Sequence, residues 1–458
     1  MINSMNEHLN QPSISGESPL RGAGGLLIYS PSAPPRLRYI FDLIFHEILG
    51  IAYTLSDDAD FFAFSSLPKM SYAEEPIGEE LFFYATKFLF EKRIHAQDIN
   101  VFDWENTKAF FATHPKYAFP FDPFAASFYL VSRFEEYLPY KKDLYDRFDA
   151  KESVAYNKGF LQQPVVNIWA AKIKKVISER YPQLQFPEKK YQYISTIDID
   201  NAYAYKEKGL VRTIGAFVRT LVNFDLKGFG KRASVLLGLQ EDPYDTYQML
   251  FDIQKKYDLK CIFFFLLGDY AENDKNVSIS SKELQALIKS IADYNEIGIH
   301  PSFLSNSQPE NLKKEINRLS KVLKRNVTNS RQHFLKLTMP DTYRRLIEND
   351  ITDDYTMGYA SDVGFRASMC TPFYFYDLLH ETTTKLKLHP FAVMDATLKY
   401  YMKVKPQEAL SYIEPLVKEV KAVNGTFISL WHNESLSNMA PWDGWQDIYE
   451  EVVKCADK

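Results

Sequence analysis

The stretch Tyr191-Gln-Tyr-Ile-Ser-Thr-Ile-Asp-Ile-Asp200 joins an apolar, β-branched run to two carboxylates. The run predicts a buried strand, and the two-residue period of a strand places Asp198 and Asp200 on one side at its carboxyl end. Two like charges that close are costly to bury unless a cation, a proton or a basic partner compensates them. The stretch therefore indicates a metal site or an acid–base pair, unless the two residues only cap a strand-to-helix turn.

Strand patterns and amphipathic helical patterns alternate over residues 191–458. Strands are predicted at Tyr193–Asp198, Lys260–Leu267, Glu296–His300, Asn329–Phe334, Asp354–Ala360, Leu386–Val393 and Thr426–His432. Helices are predicted at Ser281–Asp293, Pro309–Leu323, Pro340–Asn349 and Gln407–Val423. Such alternation is typical of a parallel sheet, and the number of units favours a distorted, closed (β/α)7-type barrel.

Several of these strands end in polar, reactive side chains. They are Asp198 and Asp200, His300, Arg331 and His333, His389, and His432. In barrels of parallel strands the chemistry lies at the carboxyl ends of the strands. The coincidence of these residues with strand ends therefore predicts a functional site at that rim.

Residues 25–184 form the part of the chain before this alternation and predict a smaller α/β domain of unknown role. Strands are expected at 25–30, 51–55 and 60–64, and a helix at 35–45. Residues 1–24 are polar and rich in Ser, Asn, Pro and Gly, which is typical of a disordered lead-in. No catalytic constellation is evident in residues 25–184.

Composition excludes some functions. A net charge of -5 argues against a general nucleic-acid binder. The three cysteines, Cys261, Cys370 and Cys455, are too far apart to indicate a disulfide framework or a thiolate zinc site. The sequence has no basic start followed by an apolar run and no apolar run long enough to span a bilayer, so we expect a cytoplasmic protein.

An insertion at residues 203–240 interrupts the strand–helix pattern directly after Asp200. It is basic and amphipathic, with Lys206, Lys227 and Lys231 among its charges. One interpretation is a helical decoration with a solvated basic face. The other is a contact surface for a membrane or for a lipid-linked glycan.

Four motifs in this part of the chain resemble those of the polysaccharide deacetylase family, in particular a bacterial subgroup with an extra N-terminal domain. They are Thr196-Ile-Asp-Ile-Asp200, Glu296-Ile-Gly-Ile-His-Pro-Ser302, Arg331, and Leu430-Trp-His432. Members of that family are metal-dependent carbohydrate esterases on a distorted barrel. The resemblance implies that Asp198 is the general base and Asp200 a metal ligand, although the two roles could be exchanged because Ile199 separates them.

The resemblance also implies that His300 is a metal ligand, that Arg331 orients the catalytic aspartate and that His432 is the general acid. The family has a second histidine four residues after the first, where this chain has Leu304. A divalent ion, with zinc as the expected metal, therefore needs another ligand. His333 is the first candidate on strand-end grounds and His389 the next.

Further residues are candidates for contact with a substrate. Trp431 is a candidate sugar platform, and His389 and Asp395 belong to one strand-end segment. Asp354 and Arg366 are candidates for the rim, with an equally good interpretation as members of buried ion pairs. The function expected from the resemblance is removal of an acetyl group from an N- or O-acetylated sugar of a surface polysaccharide or its precursor.

Two alternatives remain open at the level of sequence. One is a metal-independent glycoside hydrolase that uses two carboxylates from among Asp198, Asp200, Asp354 and Asp395. The other is a non-catalytic glycan-binding or scaffold protein of polysaccharide biosynthesis, which the replacement of a ligand by Leu304 would fit.

Overall fold

The computed structural model describes residues 25–457, so the expected lead-in at residues 1–24 lies outside the described part. The strands are β1 Leu26–Tyr29, β2 Tyr53–Ser56, β3 Lys69–Ala73, β4 Leu81–Tyr84, β5 Phe102–Trp104, β6 Thr107–Ala109, β7 Gln192–Ile199, β8 Lys260–Leu266, β9 Glu296–His300, β10 Asn329–Ser330, β11 Asp353–Asp354, β12 Phe373–Asp377, β13 Thr382–Leu388, β14 Val393–Met394 and β15 Thr426–His432.

The α-helices are α1 Pro35–Phe41, α2 Ala59–Phe64, α3 Pro123–Val131, α4 Val154–Asn157, α5 Val165–Arg180, α6 Leu210–Val222, α7 Leu226–Leu236, α8 Tyr247–Tyr257, α9 Lys282–Ala292, α10 Pro309–Leu323, α11 Asp341–Glu348, α12 Ala409–Ala422 and α13 Trp445–Asp457. Helix α1 continues as a π-helix over Asp42–Ile48, and a second π-helix occupies Thr397–Tyr401. None of the helices within residues 25–457 is long and apolar enough to cross a membrane.

The N-terminal region carries a parallel sheet of four strands in the order β2-β1-β3-β4. Its helices pack aromatic side chains against one another, as Phe41 of α1 does with Phe124 of α3 at 4.8 Å between ring centroids. The strand expected at residues 60–64 is wrong, because these residues belong to helix α2. The Asp58 carboxylate accepts the N–H of Phe61 and so caps the start of that helix.

The second region contains a sheet of nine strands in the order β12-β13-β11-β10-β9-β8-β7-β15-β14. All neighbours are parallel except the hairpin β12–β13 at one edge. Asp198 lies opposite His432 on β15 and Phe264 on β8, and Leu266 lies opposite His300 on β9. The predicted parallel α/β architecture is therefore confirmed.

The strand pairing gives an open sheet among the described residues, whereas the sequence predicted a closed barrel. The edge strands β12 and β14 are not hydrogen-bonded to each other. Strands β10, β11 and β14 are two residues long, much shorter than expected. Strands this short form few hydrogen bonds with their neighbours, so they contribute little to closing the sheet into a barrel. The hairpin β12–β13 forms the edge of the sheet that lies opposite the β14 edge. Strand β12 was not expected from the sequence.

One face of the sheet beneath the strand ends carries a small apolar cluster. It contains Ile194, Ile262, Phe264, Ile428 and Leu430, all buried. On β9, Gly298 leaves room for the Phe264 ring, since a Cβ atom there would lie 2.5 Å from that ring. This packing forms a floor directly under the polar residues at the carboxyl ends of β7, β9 and β15.

Buried polar contacts join the N-terminal region to the second region. Arg366 donates to both carboxylate oxygens of Glu136, at 2.9 and 2.6 Å, and Arg133 donates to the same carboxylate at 2.7 Å. Arg36 likewise pairs with Glu381 at 2.6 Å. The charges of Arg133, Glu136 and Arg366 are almost fully buried, so each depends on the others for solvation.

Candidate metal centre

Three side chains from neighbouring strand ends meet above the apolar floor. Asp200, His300 and His333 offer ligand atoms that all lie within 4.8 Å of one another. Nε2 of His300 lies 3.3 Å from Oδ1 of Asp200, and Nε2 of His333 lies 3.5 Å from Oδ2 of the same carboxylate. Asp200 follows β7 and His333 follows β10, with β8 and β9 between them in the sheet, and the two residues, 133 positions apart in the chain, meet at its carboxyl edge.

Both imidazoles are held by their other nitrogen. Nδ1 of His300 lies 2.6 Å from the carbonyl oxygen of Arg331, and Nδ1 of His333 lies 2.9 Å from Oδ1 of Asp274. Since a carbonyl oxygen and a carboxylate can only accept, each Nδ1 carries a proton and each Nε2 is turned toward Asp200, where it can ligate a metal ion once it carries no proton. Metal-ligating histidines are oriented in this way in proteins.

The donor set fits a divalent cation. Oδ1 of Asp200 is buried and has no hydrogen-bond partner, so it is free to coordinate. Two imidazoles and one carboxylate form a ligand set used by catalytic zinc sites and by other first-row metals with open coordination positions. Asp200, His300 and His333 would hold such an ion, and His333 would supply the second nitrogen in place of Leu304.

Asp198 lies beside this cluster and is paired with Arg331. Nη1 of Arg331 donates to Oδ1 of Asp198 at 3.0 Å and to Oγ1 of Thr196 at 2.7 Å. The guanidinium is fully buried and lies 4.7 Å from the centroid of the Phe264 ring. One oxygen of Asp198 is therefore fixed by the guanidinium, while the other lies 3.7 Å from Nε2 of His300.

His432 faces the cluster from β15. Its Nδ1 lies 2.8 Å from Oδ1 of Asp395, and its backbone N–H donates to Oδ2 of the same carboxylate at 2.8 Å. Nε2 of His432 points toward Asp200, 3.9 Å from Oδ2. Burial would lower the pKa of His432, but Asp395, followed by Asp200 and Asp198, raises it well above its usual value.

The ionisable groups of the cluster depend strongly on one another. Burial would raise the pKa of Asp200, but His333, His300 and His432 hold it well below its usual range. Burial would lower the pKa of His333, but Asp200 and Asp274 raise it to about 9. The site therefore combines a firmly ionised carboxylate, that of Asp200, with the imidazoles of His333 and His432, whose charged form is favoured when only protons compete for them.

Two further residues at this site were not expected from the sequence. Asp274 accepts from Nδ1 of His333 and from the backbone N–H groups of Phe303 and Leu304, at 2.8 and 3.2 Å. Its loop has no regular pattern, so nothing in the sequence marked it. The second is Glu434, and burial together with Asp200 raises its pKa to about 7. Its position two residues after His432 could have identified Glu434 as a candidate site residue from the sequence.

The structure places four of the predicted substrate-contact residues away from the cluster. Trp431 is 1% exposed and packs on Tyr449, because the two-residue period turns it to the face opposite His432. Arg366 is buried in the ion pairs with Glu136 and Arg133. Asp354 is buried under hydrogen bonds from Ser330 and Thr356.

His389 is the fourth of these residues. It stacks on Tyr355 and has Nε2 2.7 Å from Asp353, so it does not join the candidate ligands. Asp395 lies at the site only behind His432 and is 1% exposed. A direct contact between these residues and a substrate is therefore not supported by their positions.

Comparison with known protein families covers the N-terminal region. A family model described as a family of unknown function, DUF7033, matches residues 26–182. No curated protein matches the chain significantly. The matched region lies wholly before the strand that carries Asp198 and Asp200.

Solved structures resemble part of the chain weakly. A putative polysaccharide deacetylase from Mycobacterium smegmatis is 16% identical, over 60% of this chain and 87% of that protein, with a TM-score of 0.39. A probable polysaccharide deacetylase from Pseudomonas aeruginosa PAO1 is 12% identical, over 58% of this chain and 83% of that protein, with a TM-score of 0.35. A CE4 family pseudoenzyme from Bacillus anthracis is 12% identical, over 58% of this chain and 61% of that protein, with a TM-score of 0.28.

Proposed function

We propose that the chain is a metal-dependent hydrolase that removes an acetyl group from an N- or O-acetylated sugar of a surface polysaccharide or its precursor. The observation that carries the proposal is the convergence of Asp200, His300 and His333, with both Nε2 atoms turned toward one carboxylate. A divalent ion bound there, with zinc as the expected metal, would supply Lewis-acid polarisation of an acyl carbonyl and a water that ionises near neutral pH.

Asp200 is the better ligand of the two strand-end carboxylates. Its Oδ1 has no hydrogen-bond partner, and its two oxygens face the Nε2 atoms of His300 and His333. Asp198, by contrast, has one oxygen occupied by Arg331. We therefore assign metal binding to Asp200 and proton abstraction to Asp198, with Arg331 as the residue that positions Asp198.

His432 is suited to the role of general acid. Asp395 holds the Nδ1 proton, which aims the Nε2 atom of His432 toward the cluster. The charged form of the imidazole is favoured by Asp395 and Asp200, so Nε2 has a proton to donate to a leaving amine or alcohol. Asp198 and His432 lie opposite each other in the pairing of β7 with β15, which puts base and acid side by side.

The order of the motifs along the chain is the reason for proposing an acetylated sugar as the substrate. The aspartates after Thr196, the histidine at position 300, Arg331 and the final His432 follow one another as in polysaccharide deacetylases. The positions of Asp354 and Asp395 argue against a glycoside hydrolase that uses either of these carboxylates. Asp354 is buried and hydrogen-bonded below the site, and Asp395 is held by His432.

Metal content and turnover of the purified protein test the proposal together. We expect near-stoichiometric divalent metal in the wild type and its loss from Asp200→Ala, His300→Ala and His333→Ala. His380→Ala is the matched control, because this histidine is 65% exposed in its side chain and lies outside the cluster. Release of acetate from acetylated oligosaccharides should follow the metal content.

Two results would contradict the proposal in different ways. Absence of metal after reconstitution would remove the hydrolytic mechanism. Bound metal without turnover of any acetylated saccharide would leave a glycan-binding protein, the alternative raised by Leu304.

A further inference from the structure

The insertion after β7 folds as a helical hairpin, defined here as residues 210–239, which contains α6, the turn and α7. No side chain of α6 is buried. Large apolar side chains of the hairpin are exposed, from 39% for Leu236 to 88% for Phe224. The set comprises Leu210, Val211, Ile214, Val218, Leu221, Val222, Phe224, Leu226, Leu236, Leu237 and Leu239. An exposed apolar surface of this extent marks an interaction site.

Helix α6 turns its apolar face away from the protein. Leu210, Ile214 and Val218 recur at helical spacing on the outer side. On the inner side Arg212 donates to the carbonyl oxygens of Asn276 and Lys275, at 3.1 and 2.9 Å. The polar side of this amphipathic helix therefore anchors it to the rest of the molecule, and the aliphatic stripe is free for a partner.

The two helices of the hairpin pack against each other through their inner faces, and the aliphatic stripe takes no part in this packing. Phe217 of α6 and Phe229 of α7 pack with ring centroids 4.9 Å apart. The guanidinium of Arg232 lies 4.7 Å from the Tyr205 ring and 5.8 Å from the Phe217 ring. Burial of the outer stripe is thus unnecessary for the two helices to pack.

The positive charge of the hairpin indicates the chemical class of its partner. The sequence of residues 210–239 contains the basic residues Arg212, Arg219, Lys227, Lys231 and Arg232. Its acidic residue Asp225 caps α7 by accepting the N–H of Gly228 at 2.8 Å. A cationic hairpin on a chain of net charge -5, with an aliphatic stripe beside the charges, has the composition of a helix that lies in an anionic lipid interface.

A second copy of the chain fits this surface less well. A symmetric dimer would place the same surface patch of each copy against itself. The cations of one hairpin would then face the cations of the other, which like-charge repulsion opposes.

We propose that the hairpin binds the surface of an anionic lipid bilayer. Leu210, Ile214 and Val218 enter the boundary between headgroups and acyl chains, while Arg219 and Lys227 contact phosphates. The base of the hairpin is tied to the candidate metal centre, since Lys208 donates to Asn201, the neighbour of Asp200, at 2.7 Å. A cleft of about 710 Å³ lies between this base and residues 268–283. Lipid binding would bring that cleft and the site near the bilayer.

Flotation of the full chain with lipid vesicles tests the proposal without any assay of catalysis. We expect binding to vesicles of equal parts phosphatidylglycerol and phosphatidylcholine, and none to phosphatidylcholine alone. Binding should weaken as salt is added, since salt screens the lipid charge. The double variant Ile214→Ser with Val218→Ser should lose at least about tenfold in affinity, because two apolar side chains no longer enter the lipid.

Leu379→Ser is the matched control, because Leu379 is 56% exposed, close to Ile214 at 61%, and lies outside the hairpin. Its affinity for vesicles should equal that of the wild type. Replacing Lys227 and Lys231 by Gln should each reduce binding to the anionic vesicles by about fivefold.

Three outcomes would overturn the proposal. They are no binding to anionic vesicles, equal binding to neutral and anionic vesicles, and a dimer in sedimentation that the Ile214/Val218 variant dissociates. The last would make a second copy the occupant of the stripe. Because metal content and turnover are measured separately, failure here leaves the proposed hydrolase intact, and failure of the hydrolase leaves lipid binding intact.

Discussion

The carbonyl oxygen of Arg331 lies 2.6 Å from Nδ1 of His300, while the guanidinium of Arg331 donates to Asp198. One residue thus fixes a candidate metal ligand through its backbone and the candidate base through its side chain. The two functions can be separated, because a change of side chain leaves the carbonyl in place.

Arg331→Lys should therefore lower kcat and leave metal content unchanged. A lysine keeps a positive charge near Asp198 but cannot reproduce the fork that also reaches Thr196 and the carbonyl of Tyr355. A base displaced by as little as 1 Å costs up to about a hundredfold in rate. Turnover and metal stoichiometry measured on the same preparation check this, with Arg318→Lys, an arginine paired to Asp269, as the control. Loss of metal from Arg331→Lys would show that the side chain also holds His300.

Asp274→Asn should weaken metal binding by about 10- to 100-fold, the usual effect of removing a carboxylate behind a ligating histidine. The carboxylate of Asp274 fixes Nδ1 of His333 and two backbone N–H groups. Competition with a chelator measures the affinity. The control is Asp269→Asn, which changes an exposed aspartate in the same loop that pairs with Lys314 and Arg318. Equal affinities in the two variants would exclude Asp274 from the support of the metal centre.

Asp198→Asn and His432→Ala should each reduce turnover by at least about two orders of magnitude, since general acid–base help is worth ~10²–10⁴-fold. Asp395→Asn tests the positioning of His432. It should move the limb of the pH–rate profile that reports the general acid to lower pH, because Asp395 raises the pKa of His432, while metal content stays constant. A wild-type pH profile in Asp395→Asn would mean that the contact at 2.8 Å has only a structural role.

The parts of the site that could be predicted from the sequence are those that follow from strand period and strand ends. Asp198, Asp200, His300 and His432 share an edge of the sheet because parallel strands in register bring their carboxyl ends together. The same rule pointed to His333 as the substitute for Leu304. The two-residue period of a strand also places Trp431 on the face opposite His432, where it packs on Tyr449. The sequence alone therefore already argued against Trp431 as a sugar platform.

Other features depend on contacts between distant parts of the chain and leave no local pattern. Arg366 meets Glu136, 230 residues away in the sequence, in a contact that neither segment's periodicity indicates. Asp274 belongs to an irregular loop and acquires its role only where that loop meets His333. The closed barrel was wrong for a related reason, because the strands predicted at residues 329–334 and 354–360 are longer than those that the pairing forms.

Glu136→Gln should destabilise the chain by about 3–5 kcal/mol, because it leaves the buried guanidinium of Arg366 without a compensating charge and leaves Arg133 with Glu135 alone. The effect should appear in urea unfolding of the full chain as an earlier midpoint for both regions at once, since this carboxylate joins them. Glu179→Gln, which removes an ion pair with 63% of the glutamate side chain exposed, should change stability by less than ~0.5 kcal/mol. Separate unfolding of the two regions in the wild type would contradict this coupling.

Glu315 should make the stability of the protein fall as pH rises. Burial raises the pKa of this carboxyl from its usual 4.5 to about 7, although Ser302 donates to both of its oxygens, at 2.6 and 2.8 Å. Below the usual value both states hold the proton. Between that value and the raised one the unfolded chain releases it while the folded chain keeps it, so the free energy of unfolding declines over this interval.

Glu315→Gln should remove that decline. The amide can still accept the N–H of Ser302 and face its hydroxyl, so the hydrogen-bonded position is retained. The variant should match the wild type near pH 4 and exceed its stability by on the order of 3 kcal/mol at about pH 8. Urea unfolding across that pH range measures the difference. Parallel pH dependences in the two proteins would mean that the Glu315 carboxyl ionises as easily in the folded chain as in the unfolded one, and that the contacts from Ser302 offset the full cost of its burial.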